Sequence, residues 1–300
     1  MIGIERMTKL SPLSLDPNIY KKLIYKVDMR TARASRKCIH NNINLLNTRI
    51  SILESNTNYP ENITPHIYFK TSTLKDDLEN LYSSKAKHIL TFKDNLKEIF
   101  KKGCPYCNSY HPVSEIDHYL PISRFPEFSV HPYNLIYSCD NCNGLKLDKF
   151  LKRDGSRMFI YPYFDSFMET IQFLKCDLST CGMKLDIKFY IDPSIETSHP
   201  YEFNIVNAHF NELQLKTYYQ RQALDPLLSS LKSTWTSINP ITDNPEWDTY
   251  TLNELQILLT YKLKEFQYFN INRWERVFLT SLINCTSYLN LVVNKSLPIN

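Results

Sequence analysis

Two CxxC pairs, Cys104-Pro-Tyr-Cys107 and Cys139-Asp-Asn-Cys142, lie within about forty residues of each other and constrain the fold more than any other feature. Two residues between cysteines let one turn bring both thiolates onto one ion at about 2.3 Å. Two such pairs supply the four ligands of a tetrahedral structural zinc. The competing reading is a redox CxxC beside a thioredoxin-like strand and helix, or unconnected thiols. Repetition of the pair beside turn-forming residues favours zinc. No charged leader followed by an apolar stretch opens the sequence, and no apolar run approaches the roughly 18 residues of a membrane span. The expectation is a cytoplasmic protein without membrane association, whose eight cysteines are not a disulfide framework.

Around the cysteines the pattern is mainly helical. Apolar residues at Ile39, Ile43, Leu46, Ile50 and Leu53 predict one long helix over 28–54, and Leu74, Leu78, Leu81, Phe92, Leu96 and Phe100 predict a second helical region ending near Gly103. Met183, Leu185, Ile187, Phe189 and Ile191 alternate with polar residues, which predicts a half-buried strand, with Ile171 and Phe173 as its hairpin partner. Helical patterns return over 203–219, 253–269 and 274–291, with a proline-containing loop over 239–247. With 43% hydrophobic residues the chain can bury a sizeable core, and the fold class expected is α+β, mainly helical.

The residues between the pairs carry chemistry that structural zinc does not require. Hydrolysis of a phosphodiester needs a water nucleophile, a base to deprotonate it, and positive charge near the oxygens that gain negative charge. A neutral histidine can be the base and an aspartate can hold a hard divalent cation, so the adjacent Asp117 and His118 suit those two roles. Neighbours on a regular strand point to opposite faces, so both reach one phosphate only at a strand end, and Pro121 agrees with a strand that stops there.

The combination Cys104-x-x-Cys107, Asp117-His118-x-x-Pro121, Asn134-Leu135 and Cys139-x-x-Cys142-Asn143-x-x-Lys146 resembles an HNH, or ββα-metal, endonuclease core of the variety stapled by a four-cysteine zinc site. The resemblance covers about 103–149. It implies that His118 is the general base, that Asp117 and Asn143 bind the catalytic ion, and that Asn134 steadies the loop between two strands. It also implies a structural zinc on Cys104, Cys107, Cys139 and Cys142. Many members have histidine where Asn143 stands, and an asparagine carbonyl suits Mg²⁺ or Mn²⁺ better than a soft ion. On this reading the chain divides into a helical region over 1–102, the nuclease core over 103–165, a β-hairpin over 166–200 and a helical, partner-binding region over 201–300.

Formal net charge is only +4, but the positive excess lies in the first two thirds of the chain. Lys26, Arg30, Arg33 and Lys37 form one stripe at helical spacing, and Lys146, Lys149 and Arg153 form another on a helix expected to open at Asn143. Both are candidates for nucleic-acid phosphate, DNA above RNA, and both also read as solvated helix faces. Glu115 shares a strand face with Asp117 and reads as a solvated carboxylate. His111 and His131 match no ligand position, and Cys38, Cys176, Cys181 and Cys285 read as small buried side chains.

The segments Tyr161-Pro-Tyr-Phe-Asp165, His209-Phe-Asn-Glu-Leu-Gln-Leu215 and Asn272-Arg-Trp-Glu275 resemble nuclease subunits of bacterial anti-phage defence, Septu-like or retron-associated, which implies an ATPase protein partner. One site per chain cuts one strand, so duplex breaks would require a homodimer or two successive nicks. Two alternatives stay open: a catalytically idle zinc-stapled module that binds nucleic acid or protein, and an RNA-directed nuclease with the same motifs.

Overall fold

In a computed structural model of the chain, residues 34–71, 74–101, 103–109, 111–182, 184–224 and 251–293 are described. They form two compact units whose boundary in the sequence falls between Ser166 and Phe167. The architecture is mixed, mostly helical with two small antiparallel hairpins.

In the first unit, the expected long helix is two: α1 over Ala34–Asn41 and α2 over Ile43–Ser55. Asn42 makes the break, because its side-chain amide donates to the Cys38 carbonyl at 2.9 Å and competes with the helical ladder. Residues 28–33 of that expectation, with Lys26, Arg30 and Arg33 of the basic stripe, lie outside the described residues; Lys37 lies on α1. α2 buries Leu46, Ile50 and Leu53. A short helix that the pattern did not indicate, α3 over Ile67–Thr71, comes first, and the second helical region likewise divides, into α4 over Leu74–Tyr82 and α5 over Lys87–Ile99. Lys93 closes the end of α4 by donating from Nζ to the Tyr82 carbonyl at 2.8 Å, one of the carbonyls that a helix end leaves without an intrahelical partner.

Strand β1, Glu115–His118, pairs antiparallel with β2, Leu135–Ser138, in the register Asp117 opposite Ile136 and His118 opposite Leu135. Helix α6, Asp140–Lys146, follows directly with Cys139 as its N-cap and packs on β1. It opens three residues earlier than expected and stops at Lys146, because Leu147 takes a positive φ of 51° that ends the helix. The loop between the strands is closed by Asn134. Its Oδ1 accepts from the Leu120 amide at 2.7 Å, and its Nδ2 donates to the carbonyls of Leu120 at 3.1 Å and Phe128 at 3.3 Å. β2 is buried on both faces, since Tyr161 and Tyr163 cover it and donate their hydroxyls to the carbonyls of Tyr133 and Leu135. That is the work of the 161–165 motif, and Asp165 finishes it by accepting from the Tyr161 amide and Arg157.

The second unit begins with α7, Phe167–Thr170, and a hairpin of β3, Leu174–Cys181, with β4, Lys184–Ile191. The expected partner residues Ile171 and Phe173 fall just before β3: Asn272 takes the amides of Phe173 and Leu174 on its Oδ1 and donates to the carbonyls of Met168 and Ile171. The strand pairing therefore starts at Leu174, beyond both residues of the apolar pattern. Helices α8, Ile195–Ser198, α9, Pro200–Glu212, α10, Leu215–Leu224, α11, Leu252–Lys264, α12, Trp274–Asn284, and α13, Thr286–Val293, follow. The 203–219 pattern is broken by Gln214 at φ 52° and the 274–291 pattern at Cys285. The 239–247 loop lies outside the described residues. Phe189 of β4 meets Tyr219, Trp274 and Phe278, so these aromatics are core. Of the four remaining cysteines, Cys176 and Cys285 are buried as expected, but Cys38 on α1 is only half-buried and Cys181, at the hairpin turn, is exposed.

A buried ion pair joins α2 to the loop between β1 and β2: Arg49 Nε donates to Glu127 Oε1 at 2.8 Å, while its other end takes the Thr64 carbonyl at 2.8 Å. Burial pushes the Glu127 carboxyl up, and the guanidinium opposes that shift. Removing one partner strands a charge in the interior, at a cost of about 3–5 kcal/mol, whereas an apolar pair of similar volume is close to neutral. Arg49→Ala should therefore lower the unfolding free energy in urea by about 3–5 kcal/mol, and Arg49→Met with Glu127→Leu should lose less than the single change.

Candidate metal centre and the strand-end histidine

The four cysteines come together from two turns. In the first, Gly103 at φ 124° and Asn108 at φ 48° let the chain double back so that the Cys104 amide donates to the Ser109 carbonyl at 3.0 Å. In the second, Cys139 stands at the N-cap of α6 and Cys142 within its first turn. All four are buried, and their Sγ atoms lie within 4.8 Å of one another. A tetrahedral zinc with bonds of about 2.3 Å needs sulfurs about 3.8 Å apart, a spacing compatible with that limit. Hydrogen bonds within the cluster split the four: those to Cys104 push the Cys107 and Cys142 thiols up, while Cys139 is held down by its bonds to Cys104, Cys107 and Cys142 and Cys104 is lowered despite its burial, so four thiolates together are disfavoured. A divalent cation reverses that penalty by supplying the charge that four neighbouring thiolates lack. The cluster can hold a metal ion such as zinc, and Ser109 Oγ lies 2.9 Å from Cys107 Sγ as an outer contact.

Asp117 and His118 occupy the end of β1, where the strand stops, as the proline-based reading expects. Asp117 is only 3% exposed, and both its oxygens are engaged. Tyr106, from between the first pair of cysteines, donates its hydroxyl to Oδ2 at 2.5 Å, and Lys146 donates from Nζ to Oδ1 at 2.9 Å and to the His118 carbonyl at 3.0 Å. Lys146 is fully buried. This corrects its reading as a phosphate contact: one turn after Asn143 on α6, it faces β1, and the negative charge of Asp117 holds it inside. Because the helix ends there, Lys149 and Arg153 do not continue its face. Lys149 is half-buried, and Arg153 is exposed in a turn. Asn143 is half-buried on α6, and Glu115 is exposed.

His118 is held from a different direction. Its Nε2 lies 3.0 Å from the Ser129 carbonyl, while Ser129 Oγ donates to the Leu78 carbonyl of α4 at 2.9 Å. A carbonyl only accepts, so Nε2 carries the proton and Nδ1 keeps its lone pair in the neutral ring. The Tyr82 ring, also from α4, meets the imidazole edge-on at 4.5 Å. Burial first, with lesser contributions from Lys146 and Lys93, lowers the His118 pKa to about 4, against the Ser129 carbonyl and Asp117, which raise it. The ring is therefore neutral at ordinary pH. His131 is buried with Nε2 3.6 Å from Glu54 Oε1, and His111 is exposed; neither belongs to the cysteine cluster.

Sequence reasoning named Asp117, His118 and Asn134 but missed the residues that hold them. Tyr106 carried a readable signal, since it sits between two metal-ligand cysteines. Ser129, Tyr82 and Lys93 carried none, because only the packing of α4 and α5 brings them to the strand end.

Two outcomes test this arrangement. Cys107→Ser and Cys139→Ser should each lose the bound zinc, read by metal analysis, and lose roughly 5 kcal/mol or more of stability, roughly 10–20 °C in melting temperature for a unit of this size. Tyr106→Phe should keep the zinc yet lower the unfolding free energy by about 1–3 kcal/mol, the cost of leaving Asp117 Oδ2 unpaired in the interior.

No family model matches the chain, and no solved structure does. Among the curated proteins, protein ea31 of Escherichia phage lambda is 30% identical over 156 residues, a stretch covering 50% of this chain and 51% of that protein. The chain thus spans about half the length of the relative it matches.

Proposed function

We propose that the chain is a metal-dependent endonuclease of the HNH type, hydrolysing phosphodiester bonds of nucleic acid, with DNA as the first substrate to test. The observation that carries the reading is the strand-end histidine. His118 sits at the terminus of the first of two antiparallel strands, the second of which runs into a helix, it adjoins the buried Asp117 in sequence, and its Nδ1 is unprotonated. In this reading His118 Nδ1 takes a proton from the attacking water, and the Ser129 carbonyl holds the imidazolium that forms through Nε2–H. Asn134 maintains the loop that carries Ser129.

In this reading Asp117 and Asn143 would hold a hard divalent ion: each Asp117 oxygen keeps a second lone pair beside its bonds to Tyr106 and Lys146, and Asn143 offers an amide carbonyl at a half-exposed position. Bound there, Mg²⁺ or Mn²⁺ would supply positive charge to the phosphate and the departing 3′ oxygen.

A second reading has its own support. Asp117 is satisfied internally by Tyr106 and Lys146, which is the condition of a structural carboxylate and agrees with a zinc-stapled binding module that does not cut. The defence role and its ATPase partner stay within the proposal on resemblance alone. His209, Asn272, Arg273, Trp274 and Glu275, which helped suggest them, are buried within the second unit and support its packing rather than a partner surface.

A cleavage assay on plasmid, single-stranded DNA and RNA with Mg²⁺ or Mn²⁺ separates the readings. Wild type should cut, His118→Ala should fall by about 10²–10⁴-fold with its zinc content and melting temperature retained, and EDTA should stop the reaction. Equal cleavage by both proteins removes His118 from the mechanism, and binding without cleavage by wild type favours the module.

A further inference from the structure

Beyond the motif residues, the strand end is completed by two helices from the N-terminal part of the chain. The Tyr82 ring of α4 packs edge-on against His118 at 4.5 Å, and Lys93 of α5 sets its ammonium 3.8 Å from the centroid of that same ring. Lys93 is half-buried, and Nζ donates one hydrogen bond, to the Tyr82 carbonyl. No carboxylate among the described residues lies within ion-pair distance of it. Its cation is thus left with two N–H donors to spare, one aromatic ring away from the strand-end imidazole.

A half-buried ammonium without an acidic partner is costly to keep, and burial lowers the Lys93 pKa accordingly. The ring of Tyr82 offsets part of that cost, and an anion on the open side would offset the rest. The Tyr82 hydroxyl adds a donor that stays protonated: burial first, then Tyr137, Glu115 and Asp117, push its pKa up to about 12. Through Leu78, which takes the Ser129 hydroxyl, α4 also fixes the carbonyl that His118 Nε2 holds. The imidazole is therefore positioned twice from one helix.

We propose that Lys93 is the phosphate-holding cation of the His118 site, donating to a non-bridging oxygen of the nucleic-acid backbone, and that Tyr82 is the residue that positions both Lys93 and the imidazole. This rests on the nuclease reading for its substrate, and adds a contact that lies outside the cysteine-bracketed motif. Lys93 thereby takes the role that Lys146, turned inward to Asp117, does not fill.

The experiment uses the full zinc-loaded chain with Lys93→Gln, Lys93→Arg and Tyr82→Leu, each checked for zinc content and melting temperature. Binding of a labelled DNA duplex and of a single-stranded RNA is measured by anisotropy in magnesium-free, chelator-free buffer over a salt series, and single-turnover cleavage is measured with Mg²⁺. Lys93→Gln should weaken binding by about 5- to 10-fold and reduce the slope of log affinity against log salt by about one, while Lys93→Arg should stay within about twofold of wild type. Tyr82→Leu should lower the cleavage rate at saturating substrate by about tenfold or more, well beyond its effect on affinity. Unchanged affinity and salt slope in Lys93→Gln overturn the proposal, as does a wild type that binds neither nucleic acid. Should wild type bind but never cut, the nuclease reading fails on its own, and the loss in Lys93→Gln still upholds the phosphate contact.

Discussion

Asp117 is the point on which the first unit converges. Its carboxylate joins three pieces of chain that are distant in sequence: the turn carrying the first cysteines through Tyr106, the strand β1 on which it stands, and the helix α6 through Lys146. A buried carboxylate is tolerated only where charge and hydrogen bonds compensate for lost water, and here one ammonium and one phenol do so. The same ammonium takes the His118 carbonyl, so the strand end, the helix and the cysteine turn move as one. The four-sulfur cluster acts beside this network, tying the turn around Cys104 to the start of α6. Metal there and order at the strand end are therefore linked through two side chains, Tyr106 from the first cysteine turn and Lys146 from α6.

His118 belongs to a second and separate set of contacts. Ser129, Leu78 and Tyr82 fix the imidazole from the side of α4, and Arg49 with Glu127 ties α2 to the loop from which Ser129 comes. The acid and the histidine are neighbours in sequence but are held by different walls, as the alternation of side chains along a strand requires. The N-terminal helices are thus part of the site and not a separate layer around it. That division of labour is why the described residues 34–101 and the core over 103–165, distinct as sequence patterns, fall within one compact unit.

Much of this was legible before the structure. Helix and strand types followed from periodicity, and the interruptions it could not foresee sit at particular residues: Asn42, whose amide bonds back to Cys38, and Leu147 and Gln214, which take positive φ without being glycine. The charge pattern was less informative. Lys146, Lys149 and Arg153 have the spacing of an exposed stripe, yet one is buried, one half-buried and one lies beyond the helix end. Spacing assigns residues to a face, but the face a helix turns inward depends on what charge awaits it there.

The sequence by itself determined the local chemistry: two cysteine pairs able to share an ion, an Asp-His step stopped by a nearby proline, and an asparagine able to close the loop between them. These depend on contacts a few bonds long, or on ligand numbers that one metal demands, so they survive without knowledge of the fold. Tertiary structure alone decided which cation neutralises Asp117, which nitrogen of His118 keeps its lone pair, and that Tyr82 and Lys93 stand beside it. Each of those depends on burial and on which helix covers which strand end, and neither is encoded in the spacing of residues along the chain.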